Sequence, residues 1–430
     1  MTQTMKTSPH RSVLFLAAIT SWIACSSAES TSAPDQDASL TDTISARADA
    51  GTVPVDAGPV DAGLVDARPV SDSDSSGQTQ QDVADAAPQC HDCPYVPIAT
   101  WTNIKVIEGF TIASSAGGRE LPVLVRYPAD ATSPLPVVLW AHGGAFNPTG
   151  HKLNLKWSTT LAKAGYAVIH WATIRPTIDE LKALCMSLGV TDPALCDDSA
   201  VTGDPSAPPP DDAIKPFNSL TIVRAADPAS ILNSLPKIAE KLAEKGIELK
   251  VDRPVVAGWS GGSQCPMQLA GATRLVGPTF PPYSQPSAIP AAFIALSPQG
   301  PGYSSFFDED DENSWSAVRG PILVATGDGD EKPDNDMTGA IRRKSFDLMP
   351  PGDKILFYSK APHGDVVHST FNLEGGGAES AVVSNLSTAL ISTVLAFLDA
   401  NVHQHPAALA WLKSDNANGI VAGLLSWESK

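Results

Sequence analysis

From residue 135 onward, continuous apolar runs alternate with segments of helical periodicity, and this alternation limits the fold more than any other feature. Residues 135–141, 166–171 and 253–257 are almost entirely apolar, as strands covered on both faces are. Helical spacing separates them, over 153–164 and 227–244. Strand–helix–strand units of this kind form parallel sheets with helices on both faces.

Five further segments are predicted strands, which gives eight in all. Residues 101–107 and 120–127 alternate apolar and polar side chains, as paired strands with one wetter face do. Three apolar runs follow later, at 291–296, 322–326 and 354–358. We therefore predict an α/β domain over residues 90–430, with a mostly parallel eight-stranded sheet flanked by helices.

Two segments of this domain need separate interpretation. Residues 174–219 break the alternation and contain a proline-rich run, so we predict a loop or lid insertion there. Residues 381–401 are apolar enough to raise the question of a membrane span. Asn385 and several Ser and Thr side chains in that run favour a buried core helix instead.

The first 25 residues have the pattern of a lipoprotein-type export signal. A basic start precedes the apolar run 13–23, which is too short for a stop-transfer helix. The run ends in Trp22-Ile23-Ala24-Cys25, which resembles a bacterial lipobox except that Trp22 stands where an aliphatic residue is usual. The resemblance implies lipidation of Cys25, and ordinary signal-peptide cleavage nearby is the alternative. Ser26 is similar to the outer-membrane sorting pattern, so we expect an exported protein anchored to the outer membrane, on its periplasmic or cell-surface side.

Residues 26–89 form an acidic segment with few large apolar side chains. They carry twelve acidic residues and two basic ones, and so hold ten of the chain's 18 net negative charges. Such a composition cannot bury enough apolar surface to offset the entropy of ordering the chain. We predict a disordered tether that spaces the domain from the membrane, with an acidic binding tail as the alternative. The chain has no basic stripe, so we expect no nucleic-acid partner.

Five cysteines follow Cys25. Because we expect export, we predict two local disulfides, one between Cys90 and Cys93 and one between Cys185 and Cys196. The alternative for Cys90 and Cys93 is half of a metal site, but the chain lacks a second Cys/His pair. Cys265 is left over and is expected to pack as a small hydrophobic side chain. We predict no metal and no cofactor.

The segment Gly258-Trp259-Ser260-Gly261-Gly262 carries the most specific chemistry in the sequence. It directly follows the apolar run 255–257 and precedes a helix-forming segment at 264–275. A sharp strand-turn-helix connection strains the serine backbone, requires glycines beside it and exposes the hydroxyl. It also puts the Gly261 N–H at a helix N-terminus, where it can stabilise a developing oxyanion. We therefore predict that Ser260 is a nucleophile.

A second oxyanion donor is expected from the loop after the third strand. His142-Gly143-Gly144 lies at that position. Glycines let the backbone approach a substrate oxygen closely, and His142 is expected to brace the loop. The alternative is that this segment forms an ordinary tight turn. Its position directly after the strand favours the oxyanion role. The predicted oxyanion donors are Gly143, Gly144 and Gly261.

From about residue 100 to the end, the chain resembles the α/β-hydrolase superfamily. It is most similar to the dienelactone-hydrolase-like, chlorophyllase-like and platelet-activating-factor-acetylhydrolase-like serine esterases of that superfamily. Besides the two motifs above, the resemblance is carried by Arg224-Ala-Ala-Asp227, residues 343–354 and residues 411–427. It implies the α/β-hydrolase fold, with nucleophile, acid and base in that order along the chain. Because the nucleophile is serine, the cysteine chemistry of true dienelactone hydrolases is not implied.

The resemblance also implies an acid and a base. Gly-x-x-Asp after strand 322–326 resembles the acid turn of the superfamily and indicates Asp330, with Asp328 as the alternative. After the last predicted parallel strand, His363-Gly-Asp resembles the base loop of many members, whereas His368 with its His-x-x-Phe pattern resembles another branch. We expect His363 to be the base, with His368 as its competitor. The histidine would remove the Ser260 proton, and the aspartate would orient the imidazole.

These features predict a serine hydrolase that cleaves a small or medium carboxylic ester outside the cytoplasm, with the membrane as a partner through the N-terminal lipid. A serine peptidase is an alternative, although the amine-recognising Glu pair and extra domain that it usually needs are not seen. A polyester or lipid-ester depolymerase is another, since Trp259 before the serine also occurs in such enzymes. A hypothesis of a different class is a catalytically inactive, surface-tethered binding protein on the same scaffold.

Overall fold

The computed structural model describes residues 92–192, 196, 219–276, 282–301, 312–331, 337–361, 370–373 and 380–430. The predicted signal at 1–25, the lipidation site Cys25, the tether at 26–89 and Cys90 lie outside the described residues. So do both candidate bases, His363 and His368, and much of the predicted insertion at 174–219.

A nine-stranded sheet in the order β1-β2-β4-β3-β5-β6-β7-β8-β9 forms the centre of the domain. The strands are β1 (Ile104–Ala113), β2 (Glu120–Pro128), β3 (Leu135–Ala141), β4 (Ala167–Trp171), β5 (Leu249–Trp259), β6 (Ala292–Leu296), β7 (Ile322–Gly327), β8 (Lys354–Ser359) and β9 (Leu425–Ser429). The six strands from β4 to β8 in this order run parallel, whereas β1, β2 and β9 pair antiparallel with their neighbours. The predicted α/β class and mostly parallel sheet are confirmed.

The prediction of eight strands is wrong, because β9 adds a ninth. This strand pairs antiparallel with β8 and forms one edge of the sheet. Most of its side chains are only partly buried. It therefore lacks the continuous apolar run that identifies the inner strands, such as β3, in which every residue is buried.

Helices cover both faces of the sheet. They are α1 (Leu155–Lys163), α2 (Ile178–Ser187), α3 (Ser219–Ala243), α4 (Gln264–Ala270), α5 (Gly339–Asp347), α6 (Ala381–Val402), α7 (Pro406–Leu412) and α8 (Asn416–Ile420). Apolar side chains of α3, α4 and α5 pack on one face, and those of α1, α6, α7 and α8 pack on the other. The sheet is therefore covered on both sides, which explains the apolar inner strands.

Helix α6 is the one described helix that is long and apolar enough to cross a membrane. Most of it is buried, and its side chains pack in the same cluster as Trp157 of α1. Its Asp399 is fully buried and accepts hydrogen bonds from the hydroxyls of Tyr166 (2.8 Å) and Tyr95 (2.9 Å). These contacts fit the predicted buried core helix.

The strand order reverses between β3 and β5, and this reversal determines where a site can form. From β3 the chain passes through α1 to β4 on one side, whereas β5 lies on the other side of β3 and follows α3. Because α1 and α3 cover opposite faces, a crevice opens at the carboxyl ends of β3 and β5. In open α/β sheets, ligands bind in such a crevice.

Candidate active site

Ser260 occupies a sharp turn at the carboxyl end of β5. The strand ends at Trp259, residues Ser260–Ser263 form one 3₁₀ turn, and α4 begins at Gln264. Ser260 has a φ of 52°, a left-handed conformation that costs free energy for any residue with a side chain. This is the strained strand-turn-helix geometry that the sequence predicts, and the Ser260 side chain remains partly exposed.

Glycines make the turn possible through close backbone approach. A Cβ atom at Gly258 would overlap the carbonyl oxygen of Gly262. A Cβ atom at Gly262 would overlap the carbonyl oxygens of Ala141 and His142 at the end of β3. The turn therefore packs directly against the loop that follows β3, and a larger residue at either glycine would force the two apart.

The loop formed by residues 142–146 lies beside Ser260. Ala141 pairs with Gly258 in the sheet, so the ends of β3 and β5 are level. Gly261 approaches the Gly144 carbonyl too closely for a side chain, and Gly143 packs against the Trp259 ring. In the described part of the chain, no group accepts a hydrogen bond from the main-chain N–H groups of Gly143, Gly144 or Gly261. The structure thus brings the three predicted oxyanion donors together next to Ser260.

His142 braces this loop through both nitrogens of its ring. It is fully buried, its Nδ1 lies 2.6 Å from the Gly143 carbonyl oxygen, and its Nε2 accepts a hydrogen bond from the Thr173 N–H at 3.2 Å. These partners fix the neutral tautomer with hydrogen on Nδ1. Burial, together with the nearby positive charge of Arg224, lowers the pKa of His142 to about 3. The ring therefore stays neutral at physiological pH.

Asp330 lies in a buried polar pocket after β7. Its carboxylate accepts hydrogen bonds from Ser297 Oγ (2.8 Å) and Thr326 Oγ1 (2.9 Å), and Arg342 Nε lies 3.3 Å from its Oδ1. Ser297 directly follows the residue that pairs with Trp259, so the Asp330 pocket neighbours the Ser260 turn. Two hydroxyls and a guanidinium hold this buried carboxylate in a fixed orientation.

Asp328, the alternative acid, has a different environment. Its side chain is exposed to solvent and accepts a hydrogen bond from the Tyr358 hydroxyl at 2.6 Å. Tyr358 lies on β8, away from the Ser260 turn. The structure therefore brings Asp330, and not Asp328, toward the end of β6 beside the nucleophile candidate.

Sequence reasoning missed three residues around Asp330. Ser297 and Thr326 bind its carboxylate, and Arg342 also donates to the main-chain carbonyls of Asp330 (2.8 Å), Ser297 (3.1 Å) and Pro298 (2.8 Å). Ser297 also has a positive φ of 51°, like Ser260 on the neighbouring strand. No local pattern marks Ser297 or Arg342, because their partners are distant in sequence or belong to the main chain.

The two candidate bases lie outside the described residues, but the chain on either side of them is fixed. Before them, Ser359 ends β8, and its carbonyl accepts a hydrogen bond from the Asp328 N–H at 2.8 Å. After them, the Phe371 carbonyl accepts a hydrogen bond from Trp157 Nε1 of α1 at 2.7 Å. The end of β8 adjoins the Asp330 turn, and α1 starts from the loop after β3. In the strand order, β5, which ends just before Ser260, lies between β3 and β8.

No protein-family model matches the chain, and no curated protein matches it. The resemblance to α/β-hydrolases therefore stays a prediction.

Two of the cysteine predictions fall on described residues. Cys185 of α2 and Cys196 form a disulfide, with their Cα atoms 5.6 Å apart, as predicted. Cys93 is disulfide-bonded as well, and its predicted partner Cys90 lies outside the described residues. Cys265 is a fully buried free thiol in the apolar cluster on the α3 face, and burial raises its pKa to about 12. It packs as a small side chain and is not ionised.

Proposed function

We propose that this protein is a serine hydrolase with the α/β-hydrolase fold, and that it cleaves carboxylic esters through an acyl-enzyme on Ser260. One observation carries the proposal: a strained, partly exposed serine lies between a buried parallel strand and a helix, beside N–H groups of the neighbouring loop for which the described residues provide no acceptor. A serine hydroxyl in this position can attack an ester carbonyl while those N–H groups stabilise the oxyanion.

The reaction needs a base that removes the Ser260 proton. In our proposal His363 does this, and Asp330 holds the imidazole in the reactive tautomer and stabilises its charged form. Support comes from spacing along the chain. Along the chain, His363 follows the described Ala361 by two residues, whereas His368 lies three residues before Phe371, which is anchored to α1. The acyl-enzyme is then hydrolysed by water that the same histidine activates.

A fluorophosphonate probe tests the enzyme hypothesis directly, because it forms a covalent adduct with activated serines. We expect labelling of the wild-type protein and none of the Ser260→Ala variant. Ser316→Ala is the matched control, since Ser316 is exposed and its hydroxyl donates to the nearby Asn313 carbonyl. Absence of labelling in the wild type, or equal labelling of Ser260→Ala, would support the binding-protein hypothesis instead.

Single substitutions of the two histidines show which of them is the base. We expect His363→Ala to abolish hydrolysis of 4-nitrophenyl acetate and His368→Ala to leave most of it. The reverse pattern would make His368 the base. A series of 4-nitrophenyl esters of increasing chain length then distinguishes a short-chain esterase from a lipid-ester or polyester depolymerase, and peptide substrates test the peptidase alternative.

We also propose that the protein is exported and anchored to the outer membrane through a lipid on Cys25. Support comes from the lipobox-like Trp22-Ile23-Ala24-Cys25 and from the acidic segment 26–89 after it. Cells that express the protein should incorporate labelled palmitate into the wild type and not into Cys25→Ala. If both proteins remain unlabelled, Cys25 is not lipidated.

A further inference from the structure

Arg224 of α3 is a buried arginine directly beneath the loop 142–146. Its side chain is fully buried, and its guanidinium reaches three main-chain carbonyls of the loop. Nη1 donates to the His142 carbonyl at 3.1 Å, and Nη2 donates to the carbonyls of Gly144 at 2.8 Å and Ala145 at 3.0 Å. Within the described residues, no carboxylate forms an ion pair with Arg224, since the nearby Asp227 pairs with Arg119. The charge of Arg224 is thus directed at the loop.

The three hydrogen bonds determine which way the loop's N–H groups point. In a planar trans peptide, the C=O of one residue and the N–H of the next point in opposite directions. Carbonyls of His142, Gly144 and Ala145 that face the guanidinium therefore turn the N–H groups of the next residues, Gly143, Ala145 and Phe146, away from it. Gly144 and Ala145 are exposed to solvent.

Arg224 also contacts the support of the Ser260 turn. The side chain of Cys265, on the first turn of α4, lies close to the guanidinium. Burial lowers the pKa of Arg224, yet a guanidinium stays protonated at neutral pH. One fixed cation therefore binds the loop after β3 and touches the helix that starts at the nucleophile turn.

We propose that Arg224 is the positioning residue of the oxyanion loop: it holds the carbonyls of residues 142, 144 and 145 toward its guanidinium so that the N–H groups of the residues that follow them, Gly143 among them, face the substrate oxygen. The inference rests on the proposed function. A preorganised set of donors stabilises the charge that develops in the transition state, and it contributes less to binding of the uncharged ester. The fixed positive charge beneath the loop adds to the same stabilisation.

Two substitutions separate the roles of shape and charge. Arg224→Met removes every donor and the charge but keeps an unbranched apolar chain. Arg224→Lys keeps the charge but cannot form the same fork to three carbonyls. Arg253→Met is the matched control, because Arg253 lies seven residues before Ser260 on β5 and bonds to the Asn401 carbonyl, far from the loop. Thermal unfolding of each variant reports whether it is folded.

The readouts are kcat and KM for 4-nitrophenyl acetate and the inhibition constant of phenylboronic acid, which forms a tetrahedral adduct with an active serine. For Arg224→Met we expect kcat to fall roughly 100-fold, the effect of losing one oxyanion donor, with KM nearly unchanged. The inhibition constant should rise in parallel with the loss in kcat/KM. For Arg224→Lys we expect a loss of roughly 10-fold, because its ammonium binds as a point charge. Arg253→Met should keep the wild-type kcat.

The outcomes distinguish this inference from the proposed function. A wild-type protein that hydrolyses the ester, together with an Arg224→Met or Arg224→Lys variant that keeps the wild-type kcat, would overturn the role of Arg224 alone. A rise in KM without a fall in kcat would also overturn it, since that pattern indicates lost ground-state binding. If Arg224→Met does not fold, the lysine variant decides by the same criteria. A wild type without esterase activity overturns both proposals.

Discussion

Replacing His170 by leucine should make the protein less sensitive to mild acid. His170 lies on β4, and its ring is fully buried beside the Trp140 ring, with 6.4 Å between the ring centroids. Within the described structure, neither ring nitrogen has a hydrogen-bond partner. Burial is the main cause that lowers the pKa of His170 from 6.5 to about 3, and the positive charge of Arg126 adds to it.

The size of the effect follows from the two pKa values. Between pH 6.5 and about 3, the unfolded chain binds a proton at His170 and the folded protein does not. The free energy of unfolding is therefore highest above pH 6.5 and falls as the pH drops through this window, by about 1.4 kcal/mol per unit. When the pH falls from 7 to 5, His170 alone should lower the free energy of unfolding by about 2 kcal/mol. This is a large part of the ~5–15 kcal/mol that stabilises a typical domain.

Urea unfolding at pH 7 and at pH 5 measures this contribution. We expect the loss of unfolding free energy between the two pH values to be smaller in His170→Leu than in the wild type by about 2 kcal/mol. Val168→Ala is the control, because Val168 is buried on the same face of β4 and does not titrate. Between pH 7 and pH 5, this variant should lose as much unfolding free energy as the wild type loses. An equal pH dependence of wild type and His170→Leu would refute the assignment of a depressed pKa to His170.

Two further predictions concern the acid and the disulfide. Asp330→Asn should lower kcat for ester hydrolysis by roughly 10⁴-fold, as loss of a triad acid does, whereas the exposed Asp328→Asn should change it little; the opposite ranking would make Asp328 the acid. Replacing both Cys185 and Cys196 by serine should lower the free energy of unfolding by about 3 kcal/mol, since the bond closes a loop across 11 positions. Thermal unfolding without reductant measures this loss, and an unchanged midpoint would mean that the loop is constrained by other contacts.

The inner part of the fold could be predicted because each inner parallel strand contains a run of mostly apolar residues. The features that were missed have a different cause. Helix α3 begins at Ser219, eight residues before the predicted start, and Pro228 lies inside it. Residues 219–232 are all buried, so this part of the helix lacks the contrast between a buried and a solvent-exposed face that marks a surface helix. The edge strand β9 was missed for the converse reason, because its partly buried residues form no apolar run.

Within the site, local geometry was easier to predict than long-range contacts. The turn at Ser260 and the loop that starts at His142 each lie at the end of a strand that the sequence identifies. Asp328 and Asp330 could not be separated in the same way, since both follow β7 within three residues. Burial separates them, and the burial of Asp330 depends on Ser297 and Arg342, which come from other elements.

Two buried arginines flank the Ser260 turn, and both act mainly on the main chain. Arg224 binds three carbonyls of the loop after β3, and Arg342 binds three carbonyls of the segments after β6 and β7 as well as the Asp330 carboxylate. Loops are ordinarily the most mobile parts of such a fold, yet catalysis needs donors and acid fixed to a fraction of an ångström. Charge-assisted hydrogen bonds from buried guanidiniums can supply that rigidity whatever side chains the loops carry. Since the partners are carbonyls that every residue has, no residue pattern in the loops could have indicated either arginine.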